Sequence, residues 1–188
     1  MTRLFPALPL LCTLVFGGCA ATGNTATEKR ATVEKMRQEV LAELYQVRPA
    51  TRSFIQKAPG YAVFSNANVN LIFASFGGGY GIVRDARAGR DTYMKMGEAG
   101  LGLGLGVKDF RAVFVFDNQA TLNRFIESGW EFGAHADAAA KARDKGAAVG
   151  GEVLADGITV FQLTESGLAL QATVKGTKYW KDDELNSR

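Results

Sequence analysis

Cys19 has the most specific chemical context of any residue in this chain. An apolar run over residues 4–16 precedes it, opened by the single cation Arg3 and closed by Gly17 and Gly18. A charged start, a short apolar middle and small residues at the end are typical of an export signal. A Cys directly after two small residues is typical of a bacterial lipoprotein signal, in which cleavage precedes the Cys and its sulfur carries a diacylglycerol. We therefore predict lipidation of Cys19, with an ordinary secretory signal and a chance Cys as the alternative.

Removal of residues 1–18 would leave a mature chain with no other thiol. Cys12 is lost with the signal, so an internal disulfide, a thiolate metal site and a Cys nucleophile are excluded. The formal charge falls from +3 to +2, because Arg3 is the one charged residue removed. That charge is too small to argue for nucleic acid. Ala20 after the Cys favours the outer membrane, so we predict a lipid-anchored envelope protein that faces the periplasm.

Basic residues form two groups that are candidate contacts for lipid headgroups. A cation close to an anionic membrane surface contributes about 1 kcal/mol. The alternative is that these side chains only keep the surface soluble, since acidic residues lie among them. The first group crowds the first predicted helix and the second a predicted hairpin tip: Lys29, Arg30, Lys35 and Arg37, then Arg84, Arg87 and Arg90. The predicted partners are the membrane, through acylated Cys19, and anionic lipid, with no nucleic acid; the sequence does not identify a protein partner.

The sequence contains no recognisable catalytic or metal-binding arrangement. His135 is the single His and has no Cys or second His at metal-ligand spacing. Ser75 lacks the first Gly of a nucleophile elbow. None of the Gly clusters leads into a phosphate-binding helix. We predict no catalytic residues, no metal and no cofactor; a hydrolase with an unrecognised site is a third alternative.

The elements that would position these residues begin with helices. Thr25 and Glu28 have the spacing of a capping box, and apolar residues recur behind them every three or four positions. This pattern predicts an amphipathic helix of about 20 residues that ends before Pro49. A shorter helix, Ala50–Lys57, is predicted next, and a third is predicted to start at Asp117 or Asn118 and to end at Gly129.

Short β runs make up most of the remainder. We predict strands over residues 61–64, 71–76, 80–84, 92–96, 112–116, 158–163 and 168–174, with residues 77–79 as a break and 85–90 as a turn. Residues 112–116 are apolar without alternation, which indicates a strand covered on both faces. Gly and Leu alternate over residues 100–106, so one face of that strand would be bare. Residues 134–149 have high helix propensity, but we favour a hairpin there.

Several motifs occur in an order that resembles the SYLF domain family. They are residues 60–64, the glycine-rich run 77–81, the Gly-Leu alternation up to Gly106, Asp117 before a helix, and residues 130–134. The resemblance covers roughly residues 35–180. It implies lipid binding of the phosphoinositide or anionic-lipid type, with a basic N-terminal helix implicated, and no catalytic residues. Actin binding, known from eukaryotic members, is not carried over to an exported bacterial protein.

These observations predict an α+β protein with a compact, barrel-like antiparallel β core, an N-terminal amphipathic helix and one or two further helices. The predicted divisions are a signal at 1–18, a polar tether at 19–27, one domain at 28–181 and a polar tail at 182–188. The predicted function is non-enzymatic binding of lipid or of the membrane surface in the envelope. A structural or protein-interaction platform is the alternative.

Overall fold

The computed structural model describes residues 25–71, 74–100, 108–132, 152–155, 157–164, 167–168 and 176–187. Within these ranges nine strands form one antiparallel sheet, and four helices pack on it. The predicted α+β architecture is confirmed. The described sheet is open rather than closed into a barrel, with β5 at one edge and β6 at the other.

Helices and strands follow one another in this order: α1 Ala26–Val47, α2 Ala50–Lys57, β1 Gly60–Leu71, β2 Ala74–Asp85, β3 Arg90–Gly100, β4 Lys108–Phe116, α3 Gln119–Ser128, β5 Trp130–Phe132, β6 Glu152–Ala155, β7 Ile158–Thr164, β8 Gly167–Leu168, β9 Gly176–Lys181 and α4 Asp183–Asn186. Across the sheet the strands are arranged β5-β9-β3-β2-β1-β4-β7-β6, and β8 pairs with β7.

The first helix forms as predicted. The Thr25 side chain accepts from the Glu28 amide and the Glu28 side chain accepts from the Thr25 amide, which completes the capping box. α1 therefore begins at Ala26, within the predicted tether. Its buried residues recur at spacings of three and four and face the sheet: Val33, Met36, Val40 and Leu44. This apolar stripe is fully used in packing the helix onto the domain.

The sheet separates two hydrophobic cores. On one face α1, α2 and α4 cover residues such as Val113, Val115 and Phe161. On the other face α3 covers Phe114, Phe116 and their neighbours. Every residue from Ala112 to Phe116 is buried, which confirms that β4 is covered on both sides.

The α3 side is an aromatic core. The rings of Phe64 and Tyr179 meet edge to face with centroids 4.6 Å apart, and those of Phe64 and Phe114 with centroids 5.5 Å apart. Asn118, rather than Asp117, caps α3 through a bond from the Thr121 amide, and Gly129 ends the helix with φ of 71°. The predicted start and stop of α3 are thus confirmed.

Two predictions for the β region are wrong. Residues 71–76 do not form one strand: Leu71 ends β1 and Ala74 begins β2, and these two residues pair across a hairpin. Residues 77–79 do not break the sheet either, because they pair with residues 66–68 inside the β1–β2 ladder. Pairing with a neighbouring strand fixes their extended backbone, despite the low strand preference of Gly and Asn.

The polar tail predicted over residues 182–188 contains a helix that the sequence analysis did not predict. Residues 183–186 form the short helix α4, capped by the Asp182 side chain. Leu185 is 3% exposed and belongs to the core beneath α1, and Asp182 is 5% exposed. Residues 183–186 are therefore docked on the domain through Leu185.

Several sequence predictions lie outside the described residues. They concern lipidated Cys19, most of the Gly-Leu alternation, residues 134–149 with His135, and most of the strand predicted over 168–174.

Candidate membrane-contact surface

Two cations of the first predicted group are bound to the C-terminal helix. Lys29 Nζ lies 2.6 Å from Glu184 Oε1. Arg30 donates from Nε to the Leu185 carbonyl at 2.9 Å and from a terminal nitrogen to the Ser187 carbonyl at 2.7 Å. These side chains hold α4 against α1, so their charges are already used within the protein.

Arg37 and Arg84, one from each predicted group, meet at a shared carboxylate. Arg37 lies 3.2 Å from Asp91 Oδ1, and Arg84 lies 3.1 Å from Asp91 Oδ2. Arg37 also pairs with Glu34 one turn earlier on α1. The structure thus brings the two groups together, but as an ion-pair cluster that ties α1 to the β2–β3 hairpin.

Lys35 is the most solvent-exposed cation of the first group. Its side chain is 77% exposed and its Nζ lies 3.8 Å from Glu39 Oε1. One exposed lysine beside a carboxylate is a weak electrostatic feature. Each of the four cations of α1 thus has a hydrogen-bond or ion-pair partner within the described residues.

The hairpin tip, which we define as Arg87 and Arg90, is exposed. Between them the turn is fixed by Asp85, whose Oδ1 accepts from the amides of Arg87 and Ala88 at 3.0 and 2.9 Å. Neither arginine has an ion pair within the described ranges. These two of the three residues of the second predicted group remain available to an external anion.

The hairpin tip adjoins the end of α2. The Ala86 amide donates to the Pro59 carbonyl at 2.9 Å, which joins the β2–β3 turn to the segment after Lys57. The exposed side chains around the α1–α2 corner include two cations and two large apolar groups, which do not all lie on one side of α2. We call them the α2 surface: Val47, Arg52, Phe54 and Lys57. In the part of the chain that the structure describes, no carboxylate pairs with Arg52 or Lys57.

Aromatic rings hold the arginines around α2. The Arg52 guanidinium lies 4.5 Å from the centre of the Tyr45 ring, and that of Arg48 lies 5.5 Å from the centre of the Phe161 ring. Burial raises the pKa of Tyr45 above its ordinary value of 10.0, and the electrostatic interaction with Tyr61 raises it further. The positive charge of Arg52 lowers this pKa, but by less. Tyr45 is therefore a neutral platform for Arg52 at physiological pH.

The sequence analysis missed the α2 surface, although a signal for it exists. Between Glu43 and Asp85 the chain contains no Asp or Glu, while cations recur at Arg48, Arg52 and Lys57. The cations of this segment are too widely spaced in the sequence to be recognised as a cluster. The absence of acidic residues over a long segment was the more informative pattern.

Among the described residues, no group of three or more His, Cys, Asp or Glu side chains could hold a metal ion. The described helices also include none with the length and apolar character needed to cross a bilayer.

Comparison with known proteins gives two matches. A family model described as "Ysc84: Las17-binding protein actin regulator" matches residues 97–188. The chain is also 33% identical over 162 residues to a protein named Beta cell expansion factor A from Aeromonas veronii. That alignment covers 86% of this chain and 60% of the relative, so this chain spans about three fifths of the relative's length.

Proposed function

The chain contains a domain of the Ysc84, or SYLF, family, as its sequence motifs predict, and we propose that this domain binds anionic membrane surfaces. In this proposal the protein is a non-enzymatic lipoprotein of the bacterial envelope. Acylated Cys19 anchors it, and the domain faces the periplasm from the outer membrane. The export signal and Ala20 support that location.

One observation carries the proposal. The α2 surface and the hairpin tip together present four exposed cations, Arg52, Lys57, Arg87 and Arg90, with no carboxylate partner in the described ranges. Each cation near an anionic surface contributes about 1 kcal/mol, and the attraction is screened beyond a Debye length of about 8–10 Å at physiological salt. A lipid anchor would keep such a surface close to its ligand at high effective concentration.

The anchor is tested first. Cys19→Ser should abolish incorporation of labelled fatty acid and move the protein from the membrane pellet to the soluble periplasmic fraction. Lipidation would be contradicted if the wild-type protein incorporated no labelled fatty acid and the Cys19→Ser variant still sedimented with the membranes.

Lipid binding is tested with the mature chain that carries Cys19→Ser, so that no acyl chain contributes. This protein should sediment with phosphatidylglycerol-containing vesicles, bind phosphatidylcholine vesicles much more weakly, and lose binding as salt rises. Arg87→Gln with Arg90→Gln should weaken binding more than Lys35→Gln with Lys181→Gln, which removes the same charge from exposed positions elsewhere. Equal losses in the two double variants would show that net charge alone acts, and the absence of binding at low salt would refute the proposal.

A protein-interaction platform is the second candidate. The description of the matched family, which names a Las17-binding protein, favours it. Trp180, 40% exposed on β9, is a side chain through which a partner could bind. A domain that ignores vesicles of every composition would leave this candidate ahead.

A further inference from the structure

The first residues after Cys19 at which a Lys- or Arg-specific protease could cleave are Lys29 and Arg30. Residues 20–28 contain neither Lys nor Arg, and the two cations are adjacent in the sequence. They lie in the first two turns of α1, which begins at Ala26. A protease of this class acting here would separate the domain from the N-terminal segment that carries Cys19.

Both side chains are bound to α4. Lys29 Nζ lies 2.6 Å from Glu184 Oε1, and the Lys29 side chain is 20% exposed. Arg30 donates from Nε to the Leu185 carbonyl at 2.9 Å and from a terminal nitrogen to the Ser187 carbonyl at 2.7 Å. A protease recognises such a cation by binding it in a specificity pocket. While α4 is docked, these two cations are therefore occupied by partners within the protein.

α4 also has attachments of its own to the domain. Leu185 is 3% exposed in the core beneath α1. The Asn186 side chain bonds to the amide and to the carbonyl of Tyr93 at 3.0 and 2.7 Å. Asp182 caps α4 and accepts from Lys95 at 3.2 Å. These contacts keep α4 over the start of α1.

The start of α1 is held less firmly than its middle. The buried stripe of α1 begins at Val33, and Ala26 adds one small side chain to the same core. Ends of helices open more readily than their interiors, and a protease cuts the opened form. Lys35 provides a contrast, because its side chain is 77% exposed but its backbone lies between the buried Val33 and Met36. Docking of α4 therefore controls access to Lys29 and Arg30 more than to Lys35.

We propose that Lys29 and Arg30 form a proteolytic processing site that docked α4 covers, and that endoproteases specific for Lys or Arg cleave it when α4 undocks. The reaction is hydrolysis: water adds to the peptide carbonyl carbon, the bond from that carbon to nitrogen breaks, and a carboxylate and an amine result. The cut domain keeps the buried stripe of α1 from Val33 onward. Protection by α4 does not depend on the proposed function; release of the domain from acylated Cys19 rests on it.

Trypsin is the probe, applied to the mature chain that carries Cys19→Ser. Asn186→Ala weakens the docking of α4 and leaves the cleavage site unchanged. It should raise the initial rate at which new N-termini at Arg30 and Ala31 appear in mass spectra about fivefold, and Leu185→Ala should raise it about tenfold or more.

Gly81→Ala is the matched control, because a Cβ at residue 81 would overlap the Phe64 ring on the opposite face of the sheet from α4. It should accelerate global unfolding and leave cleavage after Lys29 and Arg30 nearly unchanged. If Gly81→Ala accelerated this cleavage as much as Asn186→Ala, the site would be cut only in the unfolded chain and the proposal would be overturned. Equal rates for the wild type and Asn186→Ala would also overturn it.

Release is tested on membrane fragments that carry the acylated protein, at high salt, where the proposed electrostatic binding is screened. Trypsin should transfer the domain to the supernatant faster for Asn186→Ala than for the wild type. A domain that is cut after Arg30 and still sediments would overturn release and leave protection by α4 standing. The proposed lipid binding is decided separately, by sedimentation of the uncut chain with vesicles.

Discussion

The side chain of Asn186 bonds to both backbone groups of Tyr93. Its Oδ1 accepts from the Tyr93 amide at 3.0 Å, and its Nδ2 donates to the Tyr93 carbonyl at 2.7 Å. The last pair of the β3–β9 ladder is Met94 with Lys181, next to Tyr93 along β3. Asn186 therefore continues the hydrogen bonding of β3 where β9 has given way to α4, and with Leu185 it attaches the end of the chain to the sheet.

Loss of this contact should destabilise the domain. Asn186→Ala removes three side-chain hydrogen bonds, two to Tyr93 and one to the Asp182 carbonyl, that each contribute about 0.5–1.5 kcal/mol, with water replacing part of that contribution at this exposed site. We expect about 1 kcal/mol less stability and a lower urea midpoint. Gln38→Ala, an exposed change on α1, should stay within about 0.5 kcal/mol. Equal midpoints for the two variants would mean that Asn186 is structurally dispensable.

The Asp91 cluster supports a second prediction. Asp91 is about three quarters buried and receives Arg37 and Arg84 on separate oxygens. Asp91→Asn removes the counter-charge of Arg84 and leaves Arg37 with Glu34 alone. We expect a loss of about 1–2 kcal/mol, a value between those of exposed and of buried ion pairs. Glu39→Gln is the control, since its pair with Lys35 is exposed. Urea unfolding that shows no difference between the two variants would contradict a stabilising role for this cluster.

Gly81 supports a third prediction, because it has no room for a side chain. A Cβ there would lie 2.5 Å from the Val63 carbonyl oxygen and would overlap the Phe64 ring. Gly81→Ala should cost about 1–3 kcal/mol by overpacking. At Gly97 the nearest atom is the outer edge of the exposed Trp180 ring, 3.1 Å away, and that ring can shift. Thermal midpoints should therefore fall more for Gly81→Ala than for Gly97→Ala, and the reverse order would refute this account of the packing.

Three tyrosines on the α1 side make stability sensitive to alkaline pH. Burial raises the pKa of Tyr45, Tyr61 and Tyr93 above 10.0. The folded chain therefore keeps phenol protons that the unfolded chain releases. Their contribution to stability is complete below pH 10 and is lost as pH rises through the higher folded pKa values.

Urea midpoints measured from about pH 8 to pH 11 should fall at the alkaline end of that range. The variant with Phe at all three positions should lose less stability across the same range. Parallel curves for the two proteins would show that these phenols do not carry the effect.

Helix boundaries were predictable because their signals are local. The capping box at Thr25, Pro49 after α1 and Gly129 after α3 each act within a few residues of the helix end. The long β1–β2 hairpin was not, because Asn and Gly residues occupy positions that only cross-strand pairing makes extended. α4 was missed for the same reason: Asp182, Asp183 and Glu184 suggest a solvated segment, and the docking of Leu185 depends on α1 at the other end of the chain.

The candidate surface shows a similar division. The sequence places cations on α1 and at the hairpin, but it cannot tell which of them find acidic partners within the fold. Arg37 meets Asp91 across 54 positions and Lys29 meets Glu184 across 155. These long-range ion pairs occupy two of the four cations of the predicted group on α1, while cations without a carboxylate partner in the described ranges lie on α2 and at the hairpin tip.

The contacts between α1 and α4 also affect when the domain can complete its folding. α1 forms its own turns early, but its Lys29 and Arg30 contacts wait for residues 184–187. Contacts between such distant residues are slow to form, because the intervening chain must first be ordered. A ribosome-bound chain that does not yet include residues 184–187 lacks these partners for α1. Lys29 and Arg30 therefore reach their observed contacts only after almost all of the described domain has been synthesised.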